Sequence, residues 1–549
     1  MTRPETDYPR QRIAGPSRLL PLLGWFHDYR RPHLARDTAA GLTVAAVLVP
    51  QSMAYAALAG LPPSAGIHAA VVPLAAYAAV GSSGTVSIGP SAITAMVTAS
   101  VLAPLADGSP GRYTVLAGAL ALLVGAVHLF LGATGLSSAT RLLSRPVIAG
   151  FTAAAALIIA AGQIGPLLGA ATERADALPG LIGETASAAG DVDAATVALA
   201  AGAVAALLAL KRFAPRLPGA LIVMITAATA AALIGPAVET IGAMDVGPPT
   251  PSVPLISAAD LAALLPGALT VALVTAAEST ATANTLGSRT GQEPVPRREL
   301  LGLGAANTAA GLFGAFPVSG GLSRSAVAHS AGARTPVASL VAAAAVLLLA
   351  IPLSPWLSGI PDAALAAIVV TAALGLVRPR SLFALARTGR PEALVLATAF
   401  AATLLLGAVP GLAIGVAASL GVLLWRATRP LVSASACECG GSTTLRVTGP
   451  LCFANRQKVR EAVDGCVSAR PGLNRIDLDL AAVPFIDADG AELLAGMRRS
   501  LGERGVSLRL SAADRSSERV LHRSGLGSLL APAPPRTGLD AGEEEGKRA

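Results

Sequence analysis

The 549-residue chain is 53% hydrophobic and 13% charged, against about 25% charged in soluble domains. Its mean hydropathy of +0.62 places it in the membrane class and excludes a soluble protein. A formal net charge of +8 raises nucleic acid as a partner, but the basic residues are dispersed among short loops and no basic, aromatic-interleaved patch occurs, so no nucleic-acid partner is expected.

In chain order, residues 1–36 carry Arg3, Arg10, Arg12, Arg18, Arg30, Arg31 and Arg36 and lack the apolar region and small-residue cleavage site of a signal peptide, so a cytoplasmic amino-terminal segment is expected. Within it, Leu19 to Phe26 is amphipathic and suits the membrane surface. A full span needs about 20 apolar residues, and a half-helix backed by protein needs fewer. On that basis the transport region, 37–429, contains fourteen spans, at 39–60, 66–81, 88–105, 113–134, 147–169, 193–210, 217–237, 261–285, 299–315, 321–331, 335–353, 362–377, 391–408 and 410–426. Alternate loops collect the arginines, including Arg141, Arg145, Arg289, Arg297, Arg298, Arg378 and Arg380, whereas 106–112, 170–191, 238–258 and 354–361 hold only Arg112 and Arg174. That asymmetry predicts both termini inside a multi-pass protein of the cytoplasmic membrane.

The sequence repeats itself. Leu42–Gly60 matches Leu269–Gly287 at nine of nineteen positions with an offset of 227, and Val86-Ser87-Ile88-Gly89-Pro90-Ser91 matches Val318-Ser319-Gly320-Gly321-Leu322-Ser323 at four of six. Two copies of seven spans must insert in opposite senses, which is the inverted-repeat architecture of secondary transporters, with interrupted helices in spans 3 and 10. After Arg429 the composition turns soluble. Strands at Thr443–Val447, Arg475–Leu480 and Val506–Leu510 alternate with helices at Asn455–Ser468, Asp489–Glu503 and Ser516–Leu521, giving a small α/β domain over 432–531. All four cysteines, Cys437, Cys439, Cys452 and Cys466, lie there without zinc spacing and are expected as reduced thiols. The tail, 532–549, reads as disordered.

A helix that starts in mid-membrane has unpaired N–H groups and the positive end of its dipole at that start, which together attract an anion. The starts after Gly89-Pro90 and Gly320-Gly321 would face each other. Pro90 suits a first helical turn, Ser91 and Ser323 are candidate caps or ligand donors, and Arg324 adds a full positive charge. The expected ligand is a small inorganic or carboxylate anion. The plainer reading of Gly-Gly-x-Ser, close helix packing, does not account for its recurrence with an arginine.

Glu278, in register with Gln51, is an acidic residue deep in span 8. Either it neutralises Arg324 or it binds H⁺ or Na⁺ and couples a gradient to anion movement. Thr282, one turn on, is the further candidate oxygen for Na⁺, and Gln51 and Tyr55 occupy the equivalent face of span 1. His128 and His329 read as packing residues. No catalytic triad, metal cluster or phosphate loop occurs, so neither an enzyme nor a cofactor beyond the coupling ion is expected.

Four long blocks carry a resemblance: Asp37-x-x-Ala-Gly-Leu-Thr-Val-Ala-x-Val-x-Val-Pro-Gln-x-Met-Ala-Tyr-Ala, Ser144-Arg-Pro-Val-Ile-Ala-Gly-Phe-Thr, Leu286-Gly-Ser-Arg-Thr-Gly-Gln, and Glu299-Leu-Leu-Gly-Leu-Gly through Ala333-Arg-Thr-Pro. They resemble the SulP family, the sulfate permease group related to pendrin and prestin, and the carboxy-terminal domain resembles its STAS domain. The resemblance implies fourteen spans in a seven-plus-seven inverted repeat, a core that moves past a gate like an elevator, and a homodimer. It implies anion contacts at Ser91, Ala92, Leu322, Ser323, Arg324, Gln51 and Tyr55. Sodium-coupled bicarbonate members carry an Asp at the Glu278 position, so proton coupling gains weight here. The phosphorylatable serine turn of stand-alone STAS proteins is replaced by Asp487-Ala488-Asp489-Gly490, which favours a scaffold or a module for a cytosolic partner. Sulfate, bicarbonate and dicarboxylate are the expected substrates in that order. A nucleobase-type permease and an anion sensor signalling through the STAS domain are the competing classes.

Overall fold

The computed structural model describes residues 31–530 except 82, 137–142, 171–174, 176, 188–189, 191, 216, 235–237, 243, 245, 292–293, 428–430, 436–440, 471 and 512–513. The expected surface helix at Leu19 to Phe26, the tail from 532, and Cys437 and Cys439 lie outside the described residues. The chain divides into two compact units, at Ser419 and Leu420.

Every one of the fourteen sequence segments contains a helix. In the first repeat these are α1 (Arg31–Leu58), α2 (Pro63–Val80), α3 (Ala92–Leu102), α4 (Pro110–Thr134), α5 and α6 (Arg145–Gly162 and Ile164–Leu168), α8 (Ala194–Phe213) and α9 (Gly219–Ile234). In the second they are α10 (Ala258–Thr290), α11 (Pro296–Leu312), α12 (Leu322–Ser330), α13 (Val337–Leu357), α14 (Asp362–Leu374), α16 (Arg390–Leu406) and α17 (Ala408–Ala427). Among the described residues nine helices are long and apolar enough to cross a membrane. Two helices fall where the sequence reading placed loops: α7 (Leu178–Ser187) and α15 (Pro379–Thr388). Both are ten residues long, about half the length that a span by itself requires.

Spans 3 and 10 are broken as the repeated motif predicts. Each enters as a two-residue strand, β1 (Ile88–Gly89) and β2 (Ser319–Gly320), before its half-helix. The strands pair antiparallel, Ile88 with Gly320 and Gly89 with Ser319. Equivalent segments of two repeats run antiparallel only if the repeats are inverted, so this pair displays the inversion in one contact. It also satisfies backbone groups that no water would reach at membrane depth. Pro90 is not in the first helical turn, as the sequence suggested. It precedes Ser91, which is the residue that caps α3.

The second unit contains a four-stranded sheet in the order β3 (Leu431–Ser435), β4 (Ser442–Thr448), β5 (Arg475–Ala482), β6 (Ser507–Ser511). The β3–β4 pair is antiparallel and the other two pairs are parallel. Helices α18 (Arg456–Ala469), α19 (Ala488–Glu503) and α20 (Arg515–Arg523) follow the strands. The core is built from alternate strand residues such as Leu445, Val447, Leu478, Leu480, Leu508 and Leu510, closed by Val459, Val463, Leu494 and Met497. Strand β3 escaped the sequence reading because Leu-Val-Ser-Ala-Ser alternates only weakly. Asp487 caps α19, accepting from Gly490 N at 2.7 Å and from Phe453 N at 3.1 Å, so the residue at the turn is tied to backbone.

Candidate functional site

The broken spans meet in a polar cluster built from four elements. Helix α3 begins under a side-chain cap, Ser91 Oγ accepting from Thr94 N at 3.2 Å. Helix α12 begins at Gly321 with no side-chain cap. Gly321 N donates to Ser87 O at 3.1 Å, which extends the strand pairing by one more bond. Each half-helix therefore directs its positive dipole end toward the strand pair.

Arg324, in the first turn of α12, is 2% exposed. Its Nη1 donates to the carbonyl of Pro90 at the other half-helix, while Nε and Nη2 are buried without a partner. The guanidinium lies flat against two glycines. A Cβ on Gly321 would come within 2.7 Å of Cζ and Nη2, and one on Gly89 within 3.3 Å of Nη2. Any side chain at either position would compete with the guanidinium for space.

Glu278 lies on α10 and is half-buried. Its Oε2 accepts hydrogen bonds from Ser319 Oγ at 2.6 Å, Ser91 Oγ at 2.9 Å and Thr94 Oγ1 at 3.2 Å. Thr94 and Ser319 also approach each other at 3.2 Å. Glu278 and Arg324, weighed from sequence as a neutralising pair, feel each other's charge, but no salt bridge or hydrogen bond joins them among the described residues. The carboxylate is held by hydroxyls, and the guanidinium, which still feels the Glu278 charge, keeps Nε and Nη2 without a hydrogen-bond partner among the described residues. Burying an unpaired guanidinium is costly, so its persistence here points to a ligand that completes it.

Helix α10 also pins β2. Ser279 Oγ accepts from Gly320 N at 2.7 Å, and Thr282 Oγ1 donates to Gly320 O at 3.1 Å. Thr282 thus spends its proton on backbone and offers only lone pairs to any cation beside Glu278. From α11, Asn307 holds the residue before β2, with Oδ1 accepting from Val318 N at 2.9 Å and Nδ2 donating to Val318 O at 3.2 Å.

The other sequence candidates distribute unevenly. Tyr55 on α1 is 7% exposed and close enough to Arg324 and Glu278 to feel both charges. Gln51, one turn earlier, is half-buried; Ala92 is buried, Leu322 half-buried, and Ser323 exposed. Ser323 is the second residue of α12, past the N-cap position at Gly321, and does not cap the helix. His128 is buried, 2.9 Å from the Ala272 carbonyl, as a packing residue would be. The sequence reading missed Thr94 and did not assign Ser319, although Ser91-x-x-Thr94 has the spacing at which an N-cap meets its third helical residue.

A profile described as the sulfate permease family matches residues 34–399, and a STAS domain profile matches 435–538. The chain belongs to the sulfate permease family. A probable sulfate transporter of Mycobacterium tuberculosis is 39% identical to this chain over 498 residues, 85% of this chain and 89% of its own. Sulfate transporter 4.1 of Arabidopsis thaliana, a chloroplastic protein, is 29% identical over 552 residues, 93% of this chain and 80% of its own. Among solved structures, the murine Solute Carrier 26 family member A9 anion transporter in its inward-facing state superimposes with a TM-score of 0.86 at 22% identity, covering 94% of this chain and 93% of that one. The transmembrane domain of the cyanobacterial bicarbonate transporter BicA gives 0.64 at 22% identity, covering 72% and 99%. Their fold is the fourteen-span, seven-plus-seven inverted repeat. The chain is therefore a membrane-spanning member of a family of anion transporters, not of enzymes.

Proposed function

We propose that this protein is a secondary active transporter whose small anion binds between the starts of α3 and α12, against Arg324. The observation that carries the reading is the buried guanidinium with Nε and Nη2 unpartnered, beside two converging helix starts. Gln51, Tyr55, Ser91, Ala92, Leu322 and Ser323 complete the ligand shell in this reading. Sulfate stands first among the substrates, on the names of the relatives, then bicarbonate, then a dicarboxylate. Glu278, with Thr282, is the coupling group for H⁺ or Na⁺, and its hydroxyl partners Ser91 and Ser319 link it to both half-helices. The moving part is an elevator-like core in a homodimer, with both termini on the cytoplasmic side.

The test is uptake of labelled sulfate, bicarbonate and fumarate into proteoliposomes under separate H⁺ and Na⁺ gradients. Arg324→Ala is expected to reduce anion affinity by ten-fold or more, since a charge-assisted contact contributes about 1.5–3 kcal/mol. Glu278→Gln is expected to remove the dependence on the cation gradient while anion binding persists. Uptake of nucleobases in place of any anion would overturn the reading, and gradient-driven uptake by Glu278→Gln would remove the coupling role.

A further inference from the structure

The arginine-bearing end of the second repeat holds a feature that the transport site does not use. Helix α15 is ten residues long, about 15 Å at the rise of an α-helix, half of what a bilayer core requires. It is joined to α14 by residues 375–378 and to α16 by residue 389 alone. Its neighbours fall in the sequence-predicted spans 362–377 and 391–408, so α15 is tethered on both sides to membrane-spanning segments.

Its composition is one-signed. Arg378, Arg380, Arg387 and Arg390 are all exposed, and none makes an ion pair or side-chain hydrogen bond among the described residues. At 100° per residue, Arg380 and Arg387 project within about 20° of each other. Leu382 and Leu385 lie on the other side and are half-buried. Phe383, on the arginine side about 50° from the mean direction of Arg380 and Arg387, is 67% exposed. The carboxylate nearby, Glu392, is turned toward the backbone at Gly389, where its Oε2 would meet a Cβ at 2.6 Å.

The end of α8 adds a second piece of the same chemistry. Phe213 is 82% exposed, the Arg212 guanidinium lies 5.6 Å from its ring centre, and Lys211 Nζ reaches within 3.9 Å of the Cβ position of Gly375, in the link to α15. Arginines beside outward aromatic rings, at the level where spans end, match the headgroup layer: charge toward phosphate, ring toward the acyl boundary.

We propose that α15, with Lys211 and Arg212, forms a binding surface for the headgroup phosphates of anionic phospholipids. The occupant follows from charge and tether together. Four arginines stand against the single carboxylate of Glu392, none of the four is ion-paired among the described residues, and two predicted spans tether the surface to the bilayer. Because α14 and α16 belong to the second repeat's last spans, the contact fixes the end of those spans relative to the lipid surface.

The test uses the full-length chain purified in detergent and given phosphatidylglycerol or phosphatidylcholine, with retained lipid counted by native mass spectrometry. Phosphatidylglycerol is expected to be retained preferentially. The double substitution Arg380→Gln with Arg387→Gln is expected to cut that preference on the order of ten-fold or more, about five-fold per basic residue removed, while Arg380→Lys with Arg387→Lys keeps it. Phe383→Trp reports independently: in proteoliposomes its added emission is expected to be quenched by brominated phosphatidylglycerol more than by brominated phosphatidylcholine. Equal retention of the two lipids, an unchanged preference in the glutamine variant, or added indole emission quenched by neither lipid would overturn the proposal. Retention displaced by free inorganic phosphate would do the same, since it would assign the surface to a soluble anion.

Discussion

Arg324 holds its position through glycine. The guanidinium occupies the volume that a Cβ on Gly321 would need, at 2.7 Å from Cζ, and Gly321 is also the N-cap of α12 with an ordinary negative φ of −82°. The residue is therefore small for space rather than for backbone conformation. Gly321→Ala is expected to leave the helix intact and displace the guanidinium, weakening anion binding by roughly ten-fold, a loss of about 1.4 kcal/mol. Anion titration beside a thermal-shift measurement checks this, and unchanged affinity would detach the glycine from the arginine. Polar residues of this motif were legible in the sequence because they stand out in an apolar span. Thr94 was not, because a threonine in an alanine-rich helix is unremarkable and its partners Glu278 and Ser319 lie 184 and 225 residues away.

At the scale of elements, the two half-helices are held by side chains reaching in from continuous helices. Helix α10 supplies Ser279 and Thr282, and α11 supplies Asn307, so β2 has its backbone bonded on both flanks. Asn307 is fully buried, and Asn307→Ala would leave the N–H and C=O of Val318 without partners. The expected cost is about 1–3 kcal/mol for each group left unpaired, read as a lower melting temperature together with slower uptake. An unchanged melting temperature would mean that β1 and α10 hold β2 without Asn307. The same reasoning separates α1 from its repeat mate α10. Both contain the shared Leu-Thr-Val-Ala, yet Ser52 returns its hydroxyl to Val49 O at 2.9 Å, whereas Ser279 bonds to β2. Sequence identity marked the pair as equivalent, and only packing made one of them the clamp.

At the scale of the molecule, the second unit has its own electrostatic keystone. Asp479 on β5 is 8% exposed and pairs with Arg446 on β4 at 2.7 Å. Burial works to raise its carboxyl, but the N–H of Ala481 and the Arg446 side chain outweigh that and hold it below the usual carboxylate range. A carboxyl depressed in the folded state contributes stability above its unfolded value, about 3.9, and loses it as pH falls through the folded value. Asp479→Asn is expected to lower the melting temperature of the STAS domain at neutral pH, with the difference shrinking as pH drops below about 4. A difference independent of pH would assign the loss to packing.

Span positions and the inverted repeat followed from the sequence itself, because length, hydropathy and internal repetition are local properties that the bilayer constrains strongly. The same holds for the motifs that break spans 3 and 10 and for the family. Tertiary structure alone decided that β1 and β2 pair, that Glu278 is caged by Ser91, Thr94 and Ser319 instead of by Arg324, and that α15 lies between two spans with its arginines outward. The physical reason is common to all three. Each depends on which groups meet across a distance of many residues, and hydrogen-bond partners in an apolar interior are chosen by geometry that no single segment encodes.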